Sequence, residues 1–205
     1  MIARISTAVV VLAAALATLA PAAGAAELER LIAPLDACPG QTETAAPVVV
    51  QERAMHCLSN FARHRVGVGS LGEADSLDRS AVDKSADILR CDSFSHYACG
   101  RTFTYWMERV GYVPARCWRA GENIAWGTGE KASPRAVFRA WIHSPEHRAN
   151  ILGRYSQIGI GMVVGGLRGR QDVHVWTQHF GSHCGGSPGG SGPGLARLAT
   201  ARAVG

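Results

Sequence analysis

Several patterns that would assign this chain to a common functional class are missing. It has no Cys-x-x-Cys and no His-Glu-x-x-His, so neither a zinc knuckle, a redox dithiol nor a metal site on one helix is indicated. The net charge is +5, but the basic residues are scattered and are not interleaved with aromatic residues. Nucleic-acid binding is therefore not expected. Beyond the N-terminus, no stretch is long and apolar enough to span a membrane.

The first 25 residues have the composition of a secretory signal peptide. Arg4 supplies a positive charge, and Ala8–Ala17 forms an apolar core of about ten residues, which is too short to cross a bilayer. Small residues then precede a predicted cleavage after Ala25 or Ala26. The sequence thus predicts a secreted, extracellular protein with no transmembrane segment in its mature form.

All six cysteines lie after the predicted cleavage site. An even number of cysteines in an exported protein indicates disulfide bonds, although the sequence alone does not choose among the pairings. Our hypothesis pairs cysteines that close two short local loops and then joins the middle of the chain to its last strand. These pairs are Cys38–Cys57, Cys91–Cys99 and Cys117–Cys184.

The mature chain divides into three parts by composition. Residues 26–47 form a lead segment with several prolines, residues 48–184 form one domain, and residues 185–205 form a tail rich in Gly, Pro and Ser that we expect to be flexible. Apolar residues recur at helical spacing in four stretches of the domain. The predicted helices are Val50 to about Gly67, one that follows a cap at Asp75 or Ser76, Thr102–Val110, and Arg135–His143 after Ser133-Pro134.

Two strands are predicted near the end of the domain. Ile158–Val164 is apolar with small residues interleaved, and Val173–Phe180 alternates apolar and polar residues. The short Gly- and Arg-rich link between them predicts an antiparallel hairpin. Helices followed by a hairpin indicate an α+β fold. His179, on the last of these strands, is expected at a surface or edge position.

Three titratable residues lie in irregular segments and not on the helical stripes. They are His96, Glu122 and His147, and the last follows a break at Ser144-Pro145 together with Glu146. Two imidazoles and a carboxylate that converge could bind a divalent metal, serve as a general base in a hydrolase, or line a polar binding cleft. No activated nucleophile is evident, so these alternatives stay open. Asn123 is expected to tie the backbone of its turn.

A set of short motifs in a fixed order resembles the CAP superfamily, which comprises the cysteine-rich secretory proteins, antigen 5 and pathogenesis-related 1. The motifs cover about residues 48–184 and match its shorter bacterial form. They are Phe94-Ser95-His96, Gly121-Glu122-Asn123-Ile124-Ala125, Ala140-Trp141, Ser144 to Leu152, Ile158-Gly159-Ile160-Gly161, and Trp176 to Gly181.

The resemblance implies an α-β-α sandwich, with helices on both faces of a small antiparallel sheet. It also implies a central cleft with two histidines and two acidic residues, which in some members binds zinc or another divalent ion. By motif, His96, Glu122 and His147 match three of these, and His96 and His147 would be the metal ligands. The fourth, an acidic residue on the preceding helix, has no counterpart, and Glu146 stands where many relatives have Gly.

The leading interpretation is a secreted binding or interaction module with a cleft formed by His96, Glu122, His147, Glu146 and Asn123. Its partner would be a small hydrophobic ligand, a peptide or a component of the cell envelope. This binding function requires no cofactor. If the protein does bind one, the resemblance implies a divalent metal such as zinc. The alternative is an extracellular hydrolase that uses the same cleft on peptides or the cell wall.

Overall fold

The computed structural model describes residues 20–183, 195–198 and 202–203, with side chains for residues 24–183. Within these ranges the chain forms six α-helices and six strands. The helices are α1 (Ala20–Glu29), α2 (Val48–Arg65), α3 (Asp75–Arg90), α4 (Tyr105–Arg109), α5 (Pro134–His143) and α6 (Pro145–Ile151). The strands are β1 (Gly72–Glu73), β2 (Trp118–Gly127), β3 (Gln157–Leu167), β4 (Arg170–His183), β5 (Leu195–Leu198) and β6 (Arg202–Ala203).

The predicted helices are present, with differences at their ends. Ser133 caps α5 as expected, since its Oγ accepts a hydrogen bond from the backbone N–H of Ala136. The predicted cap of α3 is wrong, because the helix already includes Asp75, and Ala74 at the cap position offers no side-chain acceptor. The third predicted helix is shorter than expected and begins at Tyr105.

The segment after α5 differs most from expectation. The break at Ser144 is present, but a new helix, α6, begins at Pro145. Proline suits the first helical position because a backbone N–H there would have no partner within the helix. Glu146 and His147 therefore lie in the first turn of a seven-residue helix and not in an irregular turn.

The sheet has the order β1-β3-β4-β2-β5, and β6 also pairs with β2. The three long strands β3, β4 and β2 are antiparallel, which confirms the predicted hairpin of β3 and β4. The short strands β1, β5 and β6 pair in parallel with their neighbours. Residues 118–127, which show no clear periodicity in the sequence, form a ten-residue strand.

Helices cover both faces of this sheet, as the α-β-α sandwich requires. On one face α3 packs on β3 and β4. A Cβ atom on Gly159 or Gly161 would lie 2.0 or 2.2 Å from the backbone of Leu77 or Ala81 in α3, so these glycines allow the helix to lie directly on the strand. On the other face, Ile158, Ile160 and Met162 share one apolar core with residues of α2 and α5.

Two of the predicted disulfides, Cys38–Cys57 and Cys91–Cys99, are confirmed. Cys117 is also disulfide-bonded, and its predicted partner Cys184 lies outside the described residues. The first 19 residues of the predicted signal peptide and most of the predicted tail likewise lie outside them. Among the described helices, none combines the length and the apolar composition that crossing a bilayer would need.

Candidate functional site

The carboxylate of Glu122 is the centre of a buried polar cluster. Its side chain leaves β2 on the face that α3 covers, and in the register of the sheet it stands opposite His179 of β4. Oε2 of Glu122 lies 2.8 Å from Nε2 of His179, and Oε1 lies 2.5 Å from Nδ1 of His96. An ionised carboxylate only accepts hydrogen bonds, so each imidazole donates one to Glu122.

These partners keep Glu122 ionised although the side chain is fully buried. Burial alone would raise the pKa of this carboxyl group. Hydrogen bonds from His179 and His96, together with the charges of Lys84 and His179, more than offset burial and lower the pKa of Glu122 to about 2. Glu122 therefore carries a negative charge across the physiological pH range.

Lys84 of α3 brings a positive charge to the same region. Its side chain is buried, and its ammonium group donates a 2.7 Å hydrogen bond to the backbone carbonyl of His96. Burial lowers the pKa of Lys84, while the charge of Glu122 acts in the opposite direction. The lysine both balances the carboxylate and holds the segment that carries His96.

The loop that carries His96 is anchored at both ends. The Cys91–Cys99 disulfide closes it over a separation of eight residues. Just beyond, Nη1 of Arg101 donates to both carboxylate oxygens of the buried Asp87 in α3, at 2.8 and 2.7 Å. Trp106 donates its indole N–H to the same carboxylate. His96 is thus held at a fixed position relative to Glu122.

One nitrogen of His96 is left without a hydrogen-bond partner among the described residues. Because Nδ1 is engaged with Glu122, Nε2 is the nitrogen left to bond a ligand, and it acts as an acceptor when the ring carries a single proton on Nδ1. This Nε2 is buried, and nothing in the part of the chain that the structure describes bonds to it. Native proteins pair nearly all such atoms, so an exception calls for an explanation, of which a bound ligand is one.

The described residues do not supply a complete ligand set for the divalent metal that the family resemblance implies. A histidine whose other nitrogen donates to a carboxylate is a common metal ligand. However, both oxygens of Glu122 already accept from imidazoles, and no group of three or more His, Cys, Asp or Glu side chains in the described part of the chain is arranged to hold a metal. A metal at His96 and His147 stays a prediction.

His147 lies in the first turn of α6. Its ring Nδ1 lies 2.8 Å from Oγ of Ser144, and its ring centroid lies 6.3 Å from that of Trp141. Its backbone carbonyl accepts a hydrogen bond from the buried side chain of Asn123. Asn150 in turn donates to the backbone carbonyl of Glu122 and to Oδ1 of Asn123. The two asparagines therefore fasten α6 to β2, and the convergence of the His147 ring with His96 and Glu122 stays a prediction.

Glu146 and Asn123, the other two residues of the predicted cleft, differ in exposure, and their place in a shared cleft stays a prediction. Glu146 is exposed in the first turn of α6 and accepts a hydrogen bond from Ser144. Asn123 is fully buried, and its amide group bonds His147, Gln178 and Asn150. Asn123 acts in this structure as a link between elements.

Sequence reasoning missed His179 and Lys84. The expected surface or edge position of His179 is wrong, because its side chain is fully buried on a central strand. Its Nδ1 lies 2.7 Å from Oγ of Ser80 in α3. The alternation of β4 puts His179 on the same face as Val173 and Val175, and that is the signal that could have identified it.

A separate cavity of about 590 Å³ lies away from this cluster, on the outer face of α5. Arg135, Arg139 and His143 line it at intervals of four residues, which brings them to one side of the helix. Glu29 of α1 accepts hydrogen bonds from Arg139 and His143.

Comparisons with known proteins agree with the fold. The model of the cysteine-rich secretory protein family, CAP, matches residues 58–180. The uncharacterized protein YkwD of Bacillus subtilis is 32% identical over 151 residues, which cover 72% of this chain and 54% of YkwD.

Two solved structures are also similar. An extracellular protein containing an SCP domain from Bacillus anthracis is 23% identical with a TM-score of 0.53, and the match covers 72% of this chain and 44% of that one. An outer surface protein from Borrelia burgdorferi is 16% identical with a TM-score of 0.56, and the match covers 67% of this chain and 96% of that one. This chain thus spans about half the length of YkwD and of the Bacillus anthracis protein.

Proposed function

Because the chain belongs to the cysteine-rich secretory protein (CAP) family, we propose that it is an exported binding module whose ligand contacts Nε2 of His96. Export is supported by the two disulfides, since such bonds persist mainly outside the cytoplasm. The ligand we propose is a component of the cell envelope. No metal is required for it to bind.

The observation that carries this proposal is the unpaired Nε2 of His96. Glu122 orients the ring and fixes its tautomer, and the anchored loop keeps the ring in position. A ligand that donates a hydrogen bond to Nε2 would relieve the cost of a buried polar atom without a partner, which is about 1–3 kcal/mol. Preorganised groups of this kind favour binding because little entropy is lost when the ligand arrives.

A hydrolase is less well supported by the same cluster. Ser80, His179 and Glu122 form a hydrogen-bonded row that resembles a serine, histidine and acid triad. All three side chains have no exposed surface, however, whereas the His96 side chain is 10% exposed, and the Ser80 hydroxyl donates to the carbonyl of Leu77. A nucleophile must reach its substrate, so this row favours a structural role.

Sedimentation with purified cell-wall sacculi tests the proposal. We expect the wild-type protein to pellet with the sacculi in a saturable way and His96→Ala to lose most of this binding. His64→Ala is the matched control, because His64 is exposed on α2 and distant in sequence from the cluster. Protein treated with a chelator should bind as well as untreated protein.

The same sedimentation samples distinguish a binding module from a hydrolase. Release of soluble wall fragments that depends on His96 would favour the hydrolase. Binding that is equal in wild type and His96→Ala would contradict the assignment of Nε2 as the contact point.

A further inference from the structure

The outer edge of β2 is covered by the C-terminal end of the chain. One side of β2 pairs with β4 along all ten of its residues. On the other side, Leu195–Leu198 pairs in parallel with Arg119–Glu122, and Arg202–Ala203 pairs with Ala125–Trp126. Without these short strands, β2 would present the unpaired N–H and C=O groups of an edge strand.

This cover is short. It consists of four and two paired residues, all in parallel pairing, which is slightly weaker per residue than antiparallel pairing. The sequence that leads to it, residues 185–194, contains only Gly, Ser and Pro. Residues 195–203 contain neither Gly nor Pro, and their only charged residues are two arginines. Every residue of it therefore retains a backbone N–H that can pair with a neighbouring strand.

The covered edge runs beside the polar cluster. In the parallel register Leu198 stands opposite Glu122, the residue that orients His96. Strand addition relies on hydrogen bonds between main chains, so it is largely independent of the side chains in the cluster. Recognition at this edge would therefore not need the side chains of the cluster.

We propose that the outer edge of β2 is a peptide-binding site that accepts an extended strand in parallel, and that residues 195–198 and 202–203 are its built-in occupant. The partner is a peptide of similar chemistry: aliphatic and cationic, without proline in the paired stretch. Such a peptide binds in trans by displacing the chain's own segment. This inference goes beyond the ligand of His96 and does not depend on it.

A variant that ends at Cys184 tests the inference, since it retains the predicted bridge to Cys117. The probe is a fluorescent peptide with the sequence of residues 195–205, and binding is followed by anisotropy. We expect saturable binding to the truncated variant and at least tenfold weaker binding to the full chain, because the attached segment competes at a high effective concentration. Absence of binding to the truncated variant, or equal binding to both proteins, would overturn the proposal.

A peptide with proline in place of Ala196 and Arg197 is the matched control. Successive N–H groups of a strand point to opposite sides. Proline at both positions therefore removes the one N–H of the two that would pair with β2. We expect this peptide not to bind, and binding as tight as that of the unmodified peptide would contradict strand addition. Hydrogen exchange at residues 119–122 should be faster in the truncated variant than in the full chain.

Light scattering tests whether the segment pairs instead with a second copy of the chain. A full chain that is dimeric, and that becomes monomeric on truncation, would mean that the segment pairs with a second copy, and this would overturn its role as a built-in occupant. None of these measurements uses a ligand of His96, so the failure of either proposal leaves the other intact.

Discussion

Glu122 of β2 and His179 of β4 stand opposite each other in the sheet, with Oε2 of the acid 2.8 Å from Nε2 of the imidazole. His96 binds the other oxygen of the same carboxylate from a loop beyond α3. One ionised side chain thus joins two strands and the loop that carries the candidate contact point. The stability of the fold and the geometry of the site should therefore depend on the same charge.

Glu122→Gln is expected to destabilise the protein by about 3–5 kcal/mol, the usual cost of removing one partner from a buried charged cluster. The amide leaves Lys84 buried without its balancing charge, and its NH₂ group faces an imidazole donor. Chemical denaturation followed by tryptophan fluorescence measures the change. Glu43→Gln, the same replacement at an exposed position, should change the free energy of unfolding by less than about 0.5 kcal/mol.

The pH dependence gives an independent check on Glu122. Its pKa is about 2 in the folded protein against an ordinary value of 4.5, so the folded state binds this proton less tightly than the unfolded state. The stabilisation is present above pH 4.5 and is lost as the pH falls from 4.5 toward 2. Glu122→Gln should remove this part of the acid dependence, and an unchanged acid profile would contradict an ionised Glu122.

Glu52 of α2 should produce the opposite pH dependence. Burial and the nearby charge of Asp78 raise its pKa to about 7, although its carboxylate accepts a hydrogen bond from the backbone N–H of Met162. The folded state therefore holds this proton more tightly than the unfolded state, and stability should decline as the pH rises from 4.5 to about 7.

Glu52→Gln should flatten this decline, because the amide keeps an acceptor for Met162 but does not titrate. Urea unfolding at a series of pH values measures it, with Glu43→Gln as the exposed control. A decline of the same size in Glu52→Gln would assign the effect to another group, of which Asp78 is the first candidate because its pKa is also raised by burial.

Gly161→Ala should be strongly destabilising. The added Cβ would lie 2.2 Å from the backbone of Ala81, so α3 would have to move away from β3. Overpacking of this kind costs typically about 1–3 kcal/mol, and the value should fall at or above the upper end because backbone atoms cannot rotate away. Gly69→Ala is the control, since nothing lies within 4 Å of its added Cβ. Thermal unfolding of both variants measures the difference.

The parts of the structure that local patterns determine were predictable from sequence. The stripe of α2, the Ser133 cap of α5, the hairpin of β3 and β4, and the two short disulfides each depend on residues close together in the chain. The cluster was only half predictable. His96 and Glu122 were identified as candidates, but their contact depends on how α3 and its loop pack on β2.

His179 shows why the remainder was not predictable. It is 57 residues from Glu122 in the chain, and only the register of β2 against β4 brings the two together. A shift of one residue in that register would direct His179 to the other face of the sheet. The helix α6 was missed for a different reason, because the proline that ends one helix also begins the next.

Replacing Cys91 and Cys99 by serine should loosen the His96 loop more than the rest of the fold. The chain-entropy relation gives a cost of about 2.5 kcal/mol for so short a loop, close to the roughly 3 kcal/mol for Cys38–Cys57. Only Cys91–Cys99 closes the segment that carries His96, whereas Cys38–Cys57 joins the lead segment to α2.

Hydrogen exchange can therefore distinguish the two double variants although their stabilities are similar. In Cys91→Ser/Cys99→Ser, the hydrogen-bonded loop amides, those of Asp92, Ser93, Tyr97 and Ala98, should exchange faster than global unfolding allows. Binding to sacculi should weaken. In Cys38→Ser/Cys57→Ser, the loop amides should follow the global rate and the binding of folded protein should persist. Equal loop protection in both variants would mean that Lys84 and Asp87, through their bonds to His96 and Arg101, are sufficient to hold the loop.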